Sequence, residues 1–94
     1  MNSASGSWVV QVRKPAQKGL RRAPRPERER LDAALKQMRE DPLAGDVERL
    51  KDQPTAFRRR VGDWRILFDV EPVQRLVEIR FIERRSTTTY RRRR

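Results

Sequence analysis

The chain has no cysteine and no histidine among its 94 residues. Without cysteine there is neither a disulfide framework nor a thiolate nucleophile, and without both residue types the usual zinc sites are excluded. A pair of histidines, the commonest acid and base in enzymes, is excluded as well. We therefore expect no metal or other cofactor, and we expect stability to come from packing.

Long apolar runs and a secretory leader are also missing. No stretch approaches the roughly 20 apolar residues of a membrane span, and residues 1–7 lack both a charged n-region and an apolar h-region. These absences predict a cytoplasmic protein with no membrane partner. Because so short a chain buries only a small core, we expect one domain over residues 1–94, with a flexible lead at 1–7 and a basic tail at 91–94.

Positive charge is what the sequence has in excess. Lysine and arginine number 24 against 13 acidic residues, for a formal net charge of +11, and 20 of the 24 are arginine. The part of the chain after residue 53 holds 12 basic and 5 acidic side chains, whereas the first 53 residues hold 12 and 8. A bias toward arginine favours planar, bidentate contact with phosphate. This distribution predicts a polyanion partner that meets the C-terminal half.

Apolar periodicity predicts a strand and two helices in the first half. Alternation predicts a strand at 8–12, and a brief helix follows at 15–22. A clearer helix begins near Pro26, which suits a first turn, and ends at Asp41-Pro42. Its core-facing stripe has spacings of three and four and consists of Leu31, Ala34, Leu35 and Met38.

The second half is predicted to form strands. Residues 43–53 are interpreted as a loop, and strands follow at 55–61, 64–71 and 75–82, with a tight hairpin turn at 61–64. The predicted fold is a small α+β domain in the order β-α-α-β-β-β, with both helices packed on one face of a mostly antiparallel sheet. The aromatic residues expected in the core are Trp8, Phe57, Trp64, Phe68 and Phe81.

Several arginines fall on these strands, and alternation assigns their faces. Arg58 and Arg60 share one face, and Arg65 lies opposite the apolar series of its own strand. This pattern predicts a rigid basic surface suited to phosphates. Arg59 shares the other face with apolar neighbours, so we expect its stem to pack at the sheet edge and its guanidinium to stay in water.

Combined with this element order, several short segments resemble the RelE/ParE toxin superfamily of bacterial type II toxin–antitoxin systems. The segments are Leu50-Lys51, Phe57-Arg58-Arg59-Arg60, Val61-Gly62-Asp63-Trp64-Arg65-Ile66-Leu67-Phe68, and Arg84-Arg85 followed by Tyr90. The RelE-like branch cleaves messenger RNA in the ribosomal A site, and its toxins are neutralised by antitoxins. The resemblance thus implies a metal-independent endoribonuclease whose partners are the ribosome, messenger RNA and a cognate antitoxin, the last in a hetero-oligomer.

The resemblance also implies the site residues. Matched position by position, the catalytic residues are Arg58, Arg60, Arg65, Arg84 and Tyr90. RNA binding is expected at Lys51, Arg85 and Arg91. The RelE pattern has lysines where this chain has Arg58 and Arg60, and a guanidinium exchanges protons far less readily than an ammonium.

The implied reaction is attack of a ribose 2′-hydroxyl on the neighbouring phosphate, which leaves a 2′,3′-cyclic phosphate and a free 5′-hydroxyl. Tyr90 is the expected base, and Arg65 and Arg84 are the cations expected to stabilise its phenolate. Arg58 and Arg65 are expected to stabilise charge on the phosphate, and Arg60 to protonate the leaving oxygen.

Two other functions fit the same sequence. A ParE-like inhibitor of DNA gyrase predicts that Tyr90→Phe and Arg65→Ala leave toxicity intact. A non-catalytic basic protein that binds nucleic acid predicts salt-sensitive binding without cleavage. The basic strand residues also fit an ordinary solvated face, with weak ion pairs to Asp63, Asp69 or Glu78.

Overall fold

Every strand of the fold joins one sheet, with two helices preceding its long antiparallel part. The computed structural model describes residues 8–85. The elements are β1 Val9–Val12, α1 Lys14–Arg22, α2 Arg25–Met38, β2 Val47–Arg49, β3 Phe57–Val61, β4 Trp64–Glu71 and β5 Leu76–Arg84. The strand order is β1-β5-β4-β3-β2; β1 runs parallel to β5, and the other neighbours are antiparallel. The predicted α+β class and mostly antiparallel sheet are confirmed.

One strand was not predicted. The segment interpreted as a loop at 43–53 contains β2, which pairs with β3 so that Val47 faces Arg59 and Glu48 faces Arg58. One valine followed by an acidic and a basic residue carries no apolar alternation, and short charged strands are typical of sheet edges. The observed order is therefore β-α-α-β-β-β-β.

Both helices follow their local signals. A proline occupies the first turn of each, as expected for a residue whose missing N–H has no helical partner there. The stripe predicted for α2 is buried in full. The same helix is tied to the β3–β4 hairpin where the indole Nε1 of Trp64 donates a hydrogen bond to Glu27 Oε1 at 2.7 Å.

A bulge in β5 decides which of its side chains enter the core. Leu67 pairs with Phe81 and the next residue, Phe68, pairs with Ile79, so Arg80 has no partner of its own in β4. The extra residue lets Ile79 and Ile82 face the helices together, and both are buried.

The bulge also overturns one predicted core residue. Phe68 and Trp64 are buried, and Trp8 and Phe57 pack against the core from its margin, as expected. Phe81 lies on the opposite, open face beside Leu67. Simple alternation along β5 does not reveal this, because the bulge at Arg80 reverses the faces to which successive side chains point.

Helix α1 approaches β5 very closely at Gly19. A Cβ atom at this position would lie 1.9 Å from the backbone oxygen of Ile82. Only a residue without a side chain allows the helix to rest on the strand at this distance. Among residues 8–85, no helix is both long and apolar enough to cross a bilayer.

We predict that Gly19→Ala destabilises the protein even though alanine is the better helix former. Helix propensity alone favours the substitution by about 1 kcal/mol. The added methyl group displaces α1 from β5, and overpacking of this kind costs about 1–3 kcal/mol. We expect the free energy of unfolding, measured by urea titration, to fall. The neighbouring exposed substitution Lys18→Ala is the control and should change it by less than about 0.5 kcal/mol. An increase for Gly19→Ala would contradict the close approach.

Candidate functional site

The open face of the sheet carries a cleft of about 550 Å³ where β2, β3, β4 and β5 lie side by side. Its walls are mostly charged, and its floor is formed by Leu67 and Phe81. We call it the arginine cleft and define it by these two residues and the charged residues that surround them, Glu48, Arg49, Lys51, Arg58, Arg65 and Glu83.

Arg58 enters the cleft from the middle of β3. Its cross-strand partners are Leu67 on one side and Glu48 on the other. The side chain is 15% exposed, and its Nη2 atom donates to Glu48 Oε1 at 2.5 Å. Its Nη1 atom is buried with no hydrogen-bond partner among residues 8–85.

Arg65 enters the same cleft from β4. It lies between Arg60 and Glu83 in the sheet register. The side chain is 19% exposed, and Nη2 donates to Glu83 Oε1 over a long distance of 3.3 Å. Its Nε atom is buried and has no partner in the described part of the chain.

The two arginines therefore have unused hydrogen-bonding capacity. A buried N–H without a partner costs about 1–3 kcal/mol. An anion with several oxygens, such as a phosphate group, satisfies such donors and matches the planar geometry of guanidinium. Fixed cations of this kind can also stabilise negative charge that develops during a reaction. They are poor proton donors, so the cleft itself is equipped for binding and for charge stabilisation.

Glu48 and Glu83 are cleft residues that the sequence interpretation did not include. Glu48 pairs with Arg58 and Glu83 with Arg65, in place of the pairs expected with Asp63, Asp69 or Glu78. Asp69 pairs with Arg80 at 3.2 Å, and Glu78 pairs with Arg13 at 3.5 Å. Alternation from Phe81 would have placed Glu83 on the same face. Glu48 could not be placed without knowing that β2 exists.

The other predicted site residues do not all meet in the cleft. Lys51 lies at its rim. Arg60 pairs with Asp46 at 3.7 Å and borders the space between α2 and β3. Arg84 is exposed and in register with Trp64, whose side chain faces the helices.

The remaining predicted features lie just after β5 or outside the described residues. Arg85 is exposed, and its backbone N–H donates to the Asp63 carbonyl at 2.6 Å. Tyr90 and Arg91 lie outside the described residues, as do the predicted lead at 1–7 and the tail at 91–94. Within residues 8–85 no group of three metal-ligating side chains comes together.

Arg59 corrects the expectation that its guanidinium stays in water. The residue is only 9% exposed, and its Nη2 atom donates to Gln37 Oε1 on α2 at 2.6 Å. The turn at Gly45, where φ is +84°, lies against the guanidinium so closely that a Cβ there would be 2.8 Å from Arg59 Cζ. Burial lowers the pKa of Arg59 from its ordinary value. The guanidinium is covered because β2 and the turn before it close over β3, which is not an edge strand.

Comparison with known proteins identifies the fold. No protein-family profile matches the chain, and no curated protein matches it in sequence. Solved structures do match. A chain of the archaeal RelE–RelB complex from Pyrococcus horikoshii OT3 is 21% identical, with 86% of this chain and 98% of that chain covered at a TM-score of 0.76.

Two further structures give the same result. The isolated Escherichia coli RelE toxin is 17% identical, with 92% of this chain and 94% of that chain covered at a TM-score of 0.71. The RelBE2 toxin–antitoxin complex of Mycobacterium tuberculosis contains a chain that is 22% identical, with 84% and 99% covered at a TM-score of 0.63. The chain therefore has the fold of RelE toxins, as its sequence pattern predicts.

We predict that neutralising either cleft carboxylate strengthens binding of a polyanion. Glu48→Gln and Glu83→Gln release Arg58 and Arg65 from ion pairs that compete with phosphate. We expect a 12-nucleotide poly(U) RNA to bind about two- to fivefold more tightly, measured by fluorescence anisotropy. The control Glu40→Gln removes an exposed charge outside the cleft. If all three variants bind alike, the cleft carboxylates do not compete with the ligand.

We predict that Arg59→Met stabilises the protein. The substitution removes two buried nitrogen atoms that lack hydrogen-bond partners among residues 8–85, and it leaves an apolar side chain of similar length under α2. Replacing a buried charge by an apolar group is often favourable, and we expect the free energy of unfolding to rise by about 1–2 kcal/mol. Thermal and urea unfolding measure this change, with the exposed Arg25→Met as control. A loss of stability would show that the Arg59–Gln37 hydrogen bond outweighs the burial of the cation.

Proposed function

We propose that this chain is a RelE-like toxin of a type II toxin–antitoxin system, and that it cleaves messenger RNA in the ribosomal A site. The observation that carries the proposal is the arginine cleft on the open face of a RelE fold. There, two largely buried guanidinium groups each retain an N–H without a partner among residues 8–85. A phosphate of the RNA backbone is the ligand that such a pair recognises.

The cleft suits the size and chemistry of a nucleotide. Its volume of about 550 Å³ is in the range of small-ligand sites. Arg58 and Arg65 approach from neighbouring strands, so one phosphate can be held from two directions. Leu67 and Phe81 provide an apolar floor between them, and Lys51 adds a positive charge at the rim.

In this proposal the 2′-hydroxyl of the message attacks the adjacent phosphate in the cleft. Arg58 and Arg65 stabilise the negative charge that grows on the phosphate oxygens. Tyr90, as a phenolate that Arg65 stabilises, takes the hydroxyl proton. A proton must also reach the departing 5′-oxygen, and Arg60 is assigned that role. Neither residue used for proton transfer is a strong acid or base, so correct alignment of the RNA by the ribosome supplies an essential part of the rate.

A cognate antitoxin is the second part of the proposal. The matched structures include RelE–RelB complexes from Pyrococcus horikoshii and Methanococcus jannaschii. A protein with a formal net charge of +11 is suited to a partner with acidic segments. We propose a hetero-oligomer in which the antitoxin blocks access of RNA to the arginine cleft.

A second candidate is a basic RNA-binding protein that does not cleave. Two observations favour it. Neither Arg60 nor Arg84 lines the cleft that holds Arg58 and Arg65, although Arg60 is the cross-strand neighbour of Arg65. An arginine also stands in place of a lysine at the position that must donate a proton. Binding without cleavage, with affinity that falls steeply as salt rises, is the result expected of this candidate.

We predict ribosome-dependent cleavage that requires the proposed base and the cleft. Primer extension maps the 5′ ends of a message in a purified translation system, with and without ribosomes. We expect cuts within A-site codons for the unaltered protein. Arg65→Ala should reduce the cutting rate by about 10²–10³-fold, and Tyr90→Phe by at least about 10²-fold.

The matched control for this assay is Arg25→Ala, which removes an arginine whose side chain is 89% exposed on α2. It should cut as the unaltered protein does. Absence of cutting during translation would contradict the proposed activity, and inhibition of gyrase supercoiling in the same preparation would assign the chain to the gyrase-directed alternative. RNA binding without cuts would favour the non-catalytic candidate.

A further inference from the structure

One aromatic ring lies on the open face of the sheet and forms part of the floor of the arginine cleft. Trp64 and Phe68 are buried, and Trp8 and Phe57 pack against the core. Phe81 is instead partly exposed, and it is the one aromatic side chain among the described residues that line the cleft. Because this ring lies outside the core, its position calls for a role other than packing against the helices.

The sheet register sets the distance between this ring and the cleft arginines. Arg58, Leu67 and Phe81 are direct cross-strand neighbours in one row across β3, β4 and β5. Neighbouring strands lie about 4.8 Å apart, so about 10 Å separates the backbone at the first residue of this row from that at the last. Arg65 lies on the same face, two residues before Leu67. A nucleotide whose phosphate binds the two arginines is long enough to reach the ring with its base.

The surroundings of the ring match the shape of a nucleobase. A base has two flat apolar faces and a polar edge. The floor of the cleft is apolar at Leu67 and Phe81, and its rim carries the charges of Arg65, Glu83 and Lys51. A base that rests one face on this floor keeps its polar edge at the rim, in contact with charged groups and water.

The backbone that carries the ring is held in place before any ligand binds. Phe81 reaches the open face through the bulge at Arg80. The guanidinium of Arg80 donates to Asp69 Oδ2 at 3.2 Å, and Asp69 Oδ1 accepts the backbone N–H of Ala56 at 2.7 Å. The bulge is thus tied to β4 and to the segment before β3 that borders the cleft. A ring fixed in this way loses little freedom when a base stacks on it.

We propose that Phe81 stacks on a nucleobase, and that the arginine cleft holds one nucleotide with its phosphate on Arg58 and Arg65 and its base on this ring. Every base has a π face, so such a site accepts any base of a single strand, whereas the bases of a duplex are already stacked on each other. The inference rests on the proposed function, because the nucleotide belongs to the RNA proposed as the substrate.

A base fits the floor better than an apolar side chain of a protein does. The floor consists of two apolar side chains bordered by charges, whereas the core of a protein interface is depleted of charged residues. Arg58 and Arg65, which flank the floor, each have a buried nitrogen without a partner among residues 8–85. A nucleotide supplies an anion for these donors and a flat apolar group for the floor in one molecule.

The test compares adenosine 3′,5′-bisphosphate with the same molecule lacking its base. The two ligands carry the same phosphates, so the difference between their affinities for the full chain reports the contribution of the base. Each affinity is measured at low salt by displacement of a fluorescein-labelled poly(U) RNA. We expect the abasic bisphosphate to bind about fivefold or more weakly than the nucleotide.

Variants of the ring show whether it is the partner of the base. Phe81→Leu removes the ring and keeps an apolar floor. It should weaken binding of the nucleotide by about fivefold or more and leave binding of the abasic bisphosphate within about twofold. Phe81→Tyr keeps a ring and should restore the preference for the nucleotide. The control Trp8→Leu removes a ring next to the edge strand β1, outside the cleft, and should change neither affinity by more than about twofold.

A spectroscopic measurement on the unaltered protein tests the proposal even if Phe81→Leu does not fold. The ligand is the 2-aminopurine analogue of the same nucleotide, whose fluorescence is quenched when the base stacks on an aromatic ring. We expect quenching when this ligand is saturated with the unaltered protein or with Phe81→Tyr. With Phe81→Leu the fluorescence should stay near that of the free nucleotide.

Three results would overturn the inference. The first is equal binding of the nucleotide and the abasic bisphosphate to the unaltered protein. The second is an equal loss of affinity for both ligands in Phe81→Leu, which would show that the ring shapes the cleft without contacting the base. The third is an unquenched 2-aminopurine signal at saturation.

These measurements contain no ribosomes and require no cleavage. If messenger RNA is not cleaved while the base and the ring contribute jointly to binding, the proposed enzymatic activity fails and the stacking site stands. If messenger RNA is cleaved and the base makes no difference to binding, the stacking site fails and the enzymatic activity stands.

Discussion

The bulge at Arg80 is the constraint on which both the core and the arginine cleft depend. Without an extra residue in β5, Ile79 and Ile82 would point to opposite faces, and one of them would leave the core. The same change of phase brings Phe81 and Glu83 to the open face, where they border the cleft. A single irregularity thus gives the helices an apolar surface to pack on and places Phe81 and Glu83 beside the arginines of the cleft.

Strand β3 places arginine side chains on both sides of the sheet. Arg58 points into the cleft, and the next residue, Arg59, points under α2. Each has one hydrogen-bonded oxygen partner and at least one buried donor without a partner among residues 8–85. Apolar residues at either position would pack more favourably, so the strand gives up stability to keep two positive charges fixed in a rigid frame.

How much of this was predictable differs between the elements. The two helices, β1 and the β3–β4 hairpin follow from apolar periodicity, proline positions and turn chemistry, and the structure confirms them. Strand β2 was missed because its three residues, Val47 and two of opposite charge, are stabilised at the sheet edge by pairing with β3 and carry no apolar alternation of their own. The face of the sheet predicted for Phe81 was wrong, because a bulge shifts the alternation of side chains by one residue and leaves no local signal in the sequence.

The candidate site was predictable only where its residues lie on regular strands. Alternation correctly placed Arg58 and Arg65 on one face, because both lie on regular parts of adjacent strands. The positions of their acidic partners depend on β2 and on the end of β5, which are set by tertiary pairing. The burial of Arg59 depends on the turn at Gly45, and the spacing of apolar residues in the sequence does not reveal that this turn lies over β3.

The pairing of β1 with β5 has a consequence for when the protein can fold. Val9, near the start of the described chain, lies beside Leu76, and α1 rests on the same late strand at Ile82. The first strand and helix therefore lack their main packing surface until β5 has been synthesised. Contacts between such distant residues form slowly, since a long loop must close first. Strand β5 also supplies one wall of the arginine cleft, so the cleft is completed in the same step of folding that completes the core.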